Sequence, residues 1–166
     1  MALKSECMKR TLNIIIGLVA SVFATTSCQK EVSAEKTIDP VLVGEWHLVE
    51  AEAEGESILE GFDIYLCIYA DCSFELYQKS GTQEIRHNLY TGTCYTENGV
   101  LTGVYSNGKP WGGKYAYSKT TDGILLRTTN DLEEQKYISC QIPAEVRDNA
   151  NITDTKSTSA AGSPIL

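Results

Sequence analysis

The sequence predicts an all-β fold: an eight-stranded antiparallel up-and-down barrel, set behind a signal peptide and a short tether. Three observations predict it. From residue 41 to about residue 143, short runs rich in Val, Ile, Leu and Tyr alternate with Gly, Asn and Asp turn signals. No long helical period interrupts them. The runs also recur at close to the roughly 8–12-residue spacing of a sandwich or barrel.

The segment before the barrel is read first, because a removable leader has to be excluded from fold reasoning. Met8-Lys9-Arg10 is a short basic start, residues 12–22 are mostly apolar, and Ala24-Thr25-Thr26-Ser27 supplies small residues before Cys28. Residues 1–27 are therefore expected to be a signal peptide, with Met8 the better initiator. The apolar run is shorter than the roughly 18 residues expected of a membrane-spanning helix. Thr26-Ser27-Cys28 resembles the lipobox of bacterial lipoproteins, with Thr25 in place of the usual Leu. The resemblance makes Cys28 the acylated (palmitate-type) first residue of the mature chain. Each buried methylene of such an anchor contributes about 0.8 kcal/mol. Residues 28–40 then form a lipidated tether. Gln29-Lys30-Glu31 resembles the surface-export signal of Bacteroidetes lipoproteins, which leaves an outer-membrane lipoprotein facing either the periplasm or the cell surface.

Net charge is −8 over the whole sequence, and removing the cationic leader makes the mature chain more acidic still. That balance argues against nucleic acid as a partner. The membrane is expected to be reached through the lipid anchor. Composition carries no information on oligomeric state.

The barrel is expected over residues 41–147, with strands at 44–51, 62–69, 73–79, 86–96, 100–105, 111–118, 123–129 and 134–141. Asn98-Gly99 is a strong hairpin signal, whereas Asp71-Cys72 occupies a turn where Asp-Gly would be favoured. Glu50, Glu52, Glu54, Glu56 and Glu60 form an acidic stretch broken by Gly55 and Gly61, read as a solvated loop rather than a calcium site. Period-two alternation turns Phe62, Ile64, Leu66 and Ile68 inward, with Phe74, Leu76, Tyr115 and Tyr117. Tyr90, Gly92 and Cys94 share a face, and Gly92 marks a bend. Eight sequential strands left open would expose two edges, and closure removes both. Residues 142–146 are given one turn of helix, and 148–166, rich in Ser, Thr, Ala, Asn and Gly, a disordered tail.

Several motifs in this order resemble the lipocalin-like lipoproteins of Bacteroidetes: Gly44-Glu45-Trp46, Tyr90-Thr91-Gly92-Thr93-Cys94, Gly99-Val100-Leu101-Thr102-Gly103, Asn107-Gly108-Lys109-Pro110-Trp111-Gly112 and Ile142-Pro143-Ala144-Glu145-Val146. The resemblance implies a lipocalin-like barrel with Gly44 and Trp46 at its floor. It also implies an arginine over Trp46, for which Arg127 is the candidate, and an envelope location.

No nucleophile elbow, phosphate loop or zinc-protease motif occurs, so an enzyme, a metal and a cofactor are not expected. His47 and His87 lie on different expected strands. Cys67, Cys72, Cys94 and Cys140 allow either isolated thiols or a disulfide. Nine tyrosines and two tryptophans are the suggestive feature, because such side chains combine an apolar face with a polar tip. Two functions stay open. In one, a small hydrophobic or amphipathic ligand binds at a mouth lined by Tyr90, Trp111, Tyr115 and Tyr117. In the other, the barrel is filled and docks on an envelope partner.

Overall fold

The computed structural model describes residues 36–81, 84–153 and 163–166. The leader, Cys28 and residues 29–35 lie outside the described residues.

Eight antiparallel strands follow one another around a closed barrel: β1 (Gly44–Ala53), β3 (Phe62–Ile68), β4 (Ser73–Ser80), β5 (Asn88–Glu97), β6 (Val100–Tyr105), β7 (Tyr115–Lys119), β8 (Gly123–Thr128) and β9 (Glu133–Ser139). Pairing of β9 with β1, Trp46 opposite Ser139 and Ala53 opposite Glu133, closes the ring. Two short strands are added outside it. Glu56–Ser57 (β2) folds back on β1, and Asn151–Ile152 (β10) runs parallel to β5.

Turn chemistry explains the hairpins. Asn98 and Gly99 have φ of 52° and 76°, the left-handed pair that a two-residue hairpin requires, between Glu97 and Val100, which face each other. Cys72, between β3 and β4, adopts φ of 68°, a conformation natural to glycine and uncommon for any other residue. Glu54 and Gly55 are also left-handed and turn β1 into β2, so the acidic stretch is a hairpin carried by a longer first strand.

Alternation assigns most faces as expected. Ile64, Leu66, Ile68, Phe74, Leu76, Tyr90, Cys94, Leu101, Tyr115, Ile124, Leu126 and Tyr137 fill the interior. Phe62 departs from this pattern: it begins β3 at the rim and is 38% exposed, because the barrel wall ends there. Gly92 faces a close crossing of strands. A Cβ there would overlap the Val104 carbonyl oxygen and stand 2.8 Å from Phe74 Cε1.

The expected sixth strand begins late. Residues 111–114 form a loop that lays the Trp111 indole on Gly103, where a Cβ would stand 2.7 Å from indole Cδ2. Helix α1 (Ala144–Asn149) lies outside the barrel. Its Val146, with Ile142, covers Cys67 and Tyr77 on the outer face of β3 and β4.

The disordered tail expected at 148–166 requires correction on the described residues. Asn151 and Ile152 pair with Asn88 and Leu89, and residues 163–166 return to the barrel, where Leu166 is 2% exposed within the core. A composition-based reading misses this because four residues of tail borrow their apolar surroundings from the barrel.

Candidate functional site

Both ends of the barrel are closed by chain that flanks it. At the end where β1 begins, Asp39 caps a 3-10 turn (Pro40–Leu42) by accepting from the Val41 N–H at 3.0 Å. Leu42 is fully buried beneath this turn, and the Trp46 indole N–H donates to the Leu42 carbonyl at 3.0 Å. Trp46 packs beside Gly44, whose added Cβ would meet Cζ2 at 3.3 Å. Tyr117 belongs to this end: its hydroxyl donates to Asp39 at 2.9 Å.

The other end, where β6 and β8 finish, is the candidate site. Interior alternation along β4 and β9 brings amides inward after apolar residues: Gln78 follows Phe74 and Leu76, and Gln135 precedes Tyr137. Both glutamines are 1% exposed. Gln78 holds the returning tail from both sides, donating to the Ser163 carbonyl at 3.1 Å and accepting from the Ile165 N–H at 3.0 Å. Tyr105 donates to the main-chain oxygen of Leu166 at 2.5 Å, and Tyr115 to that of Ile165 at 3.5 Å. Trp111 stands edge-on to Phe74 and Tyr115, with centroids 5.1 and 6.2 Å away.

A cleft of about 490 Å³ opens beside the tail, bordered by Gly112, Gly113, Tyr115, Thr128, Ile165 and Leu166. Burial pushes the Tyr115 phenol up to about 12 and also raises those of Tyr105 and Tyr137, so all three remain neutral donors. Two further buried donors make no close hydrogen bond among the described residues: Trp111 Nε1, and Gln135 Nε2, which acts only on the Tyr115 phenol and lowers its pKa against the effect of burial. The Gln135 carbonyl oxygen is engaged by the Tyr137 hydroxyl at 2.8 Å.

Of the four residues expected to line a mouth, the structure therefore joins Trp111 with Tyr115. Tyr90 lies deeper, against Tyr105 at 6.2 Å, and Tyr117 is at the opposite end. Sequence reasoning missed Tyr105, Gln78, Gln135 and the tail. Gln78 was recoverable by extending the alternation that placed Phe74 and Leu76 inside, whereas no face is assigned from sequence to the strand that carries Gln135.

Arg127 does not cover Trp46. It sits on the outer surface and pairs with Glu134, with its Nε 2.9 Å from the carboxylate.

The two histidines meet on the outer wall. His47 on β1 and His87, just before β5, contact the two oxygens of Asp63 at 3.1 and 3.0 Å. His47 also stacks on Tyr65 at 4.5 Å. Burial lowers the His87 pKa against the opposing pull of Asp63. Nearby, Arg147 of α1 bridges Glu45 at 2.9 Å and Glu75 at 3.3 Å, and Tyr69 and Tyr77 donate to the same Glu75. These contacts fasten the helix to the wall. Among the described residues no group of three or more His, Cys, Asp or Glu side chains is arranged to hold a metal, and Cys67, Cys72, Cys94 and Cys140 are free thiols.

No protein-family model matches the chain, and no curated protein matches it. Among solved structures it is similar to the lipoprotein YedD from Klebsiella pneumoniae subsp. pneumoniae MGH 78578, at 14% identity and a TM-score of 0.43, over 68% of this chain and 85% of that one. A likeness at that level carries no functional argument; the barrel rests on its own strand pairing.

Proposed function

We propose that this chain is a lipoprotein of the bacterial envelope, anchored through Cys28, whose barrel binds a small apolar or amphipathic molecule at the end lined by Tyr105, Trp111 and Tyr115. It acts by binding rather than by turnover. The observation that supports this most strongly is the polarity of that lining. A barrel filled only for stability needs no donors inside, since a buried donor left unpaired costs about 1–3 kcal/mol. Here the mouth gathers two phenols, two amides and an indole, and two of their N–H groups make no close hydrogen bond among the described residues.

Fluorescence titration tests the reading, because the chain has two tryptophans, one at each end. In a Trp46→Phe background the signal reports on Trp111 alone. A saturable shift with a fatty acid, sterol or haem is expected; silence across such a panel, with no change in melting temperature, would overturn ligand binding. Anchoring is tested separately: Cys28→Ala is expected to lose palmitate labelling and release the protein from the membrane fraction. Protease shaving of intact cells then separates surface from periplasmic exposure.

A second reading, a filled scaffold that docks on an envelope partner, draws support from the packing. Ile64, Leu66, Leu76, Leu101 and Leu126 show no exposure or almost none.

A further inference from the structure

We propose that residues 163–166 occupy the mouth as a tethered stand-in for its ligand, and that an aliphatic amphiphile with a hydrogen-bond-accepting head displaces them in order to bind. This inference rests on the ligand-binding reading above and names both the class of ligand and the element that regulates its entry.

The tail is held as a ligand would be held. Its apolar end, Leu166, is buried among core side chains, and its main-chain oxygens take donors from the wall: Gln78 Nε2 to Ser163, Tyr115 to Ile165 and Tyr105 to Leu166. The wall is richer in donors than the tail can use. Besides those three, Trp111 Nε1 is buried with no partner among the described residues, and Gln135 Nε2 has no close hydrogen bond among them and only the Tyr115 phenol oxygen within its influence, whereas Gln78 Oε1 is the acceptor that the tail's Ile165 N–H engages. A peptide brings an N–H for nearly every carbonyl and so matches such a wall poorly. A carboxylate or ester head offers several lone pairs and no N–H, and can satisfy donors the peptide leaves idle. The aliphatic remainder takes the place of the Leu166 and Ile165 side chains.

These contacts are also separable from the barrel. They span 50 to 87 residues of sequence and contribute no strand pairing, so their loss leaves every ladder of the ring intact. An intramolecular occupant raises the apparent Kd of a competing ligand in inverse proportion to the fraction of time the site is open. Removing it therefore tightens binding without adding a contact.

The test is titration with 11-(dansylamino)undecanoic acid of the full chain, a form ending at Gly162 and the full-length Leu166→Ala variant. The shortened form is expected to bind at least tenfold tighter than the full chain, with Leu166→Ala in between. Equal, measurable affinity in all three would overturn the stand-in and leave the proposed function untouched. Binding by none of them would overturn both. Should the shortened form fail to fold, Leu166→Ala decides alone, because it retains every main-chain contact. Competition settles the head group: dodecanoate is expected to displace the probe and dodecyltrimethylammonium, whose head accepts no hydrogen bond, is not. Equal displacement by the two would overturn the acceptor-head assignment.

Discussion

The two ends of the barrel are closed by the same device, a leucine from flanking chain pushed into the core, yet the two closures differ in kind. At the floor, Leu42 enters only two residues before β1, its turn is capped by Asp39, and Trp46 bonds back to a carbonyl four residues earlier. At the mouth, Leu166 arrives from far along the sequence and its segment is held by side chains of β4, β6 and β7, while two buried donors at that end make no close hydrogen bond among the described residues. Local closure carries little loop-closure entropy and is built with the first strand; distant closure carries more and can be undone separately.

Breaking the floor is expected to have the largest effect. Trp46→Ala should cost about 3–5 kcal/mol in chemical denaturation, since a large buried aromatic is lost and no mobile element can refill its place. Leu42→Ala should cost about 2–5 kcal/mol for the same reason, whereas Leu166→Ala, at the separable end, should cost under about 1 kcal/mol of global stability. Equal losses at Leu42 and Leu166 would erase the distinction between the ends.

A smaller effect belongs to the wall between them. Burial lowers the His87 pKa, so the folded state prefers neutral His87; its contribution is complete above the ordinary value of 6.5 and is lost as pH falls below it. Melting temperature should therefore decline less steeply below pH 6.5 in His87→Asn than in the natural chain. Unchanged slopes would show that Asp63, Lys79 and Glu84 together leave the histidine unperturbed. The smallest effect is expected at Arg127→Ala, where an exposed pair with Glu134 is removed. A thermal scan should detect no shift, and a large one would place Arg127 in the closure of an end after all.

Legibility followed the range of the interaction. Asn98-Gly99 specified its hairpin because a left-handed pair is a property of two adjacent residues. The inward faces of β3 and β4 were readable from alternation. Tyr117 was misplaced for a related reason: its inward face was correct, but alternation says nothing about which end of the barrel a strand position reaches. The delayed start of β7 was hidden because Trp111 looks like a strand residue, while its place is decided by the open surface of Gly103, a strand away. His47 and His87, forty residues apart, share one carboxylate only because β1, β3, β4 and the start of β5 come in that order across the outer wall.

By itself, then, the sequence determined the all-β class, the number of strands, most of the turns and which side chains face inward, since all of these depend on neighbours within a few residues. Only the tertiary structure decided that the tail is an interior element, and which polar tips meet at the mouth. A four-residue segment has no periodicity to announce its burial, and the site it enters exists only once eight strands have closed around it.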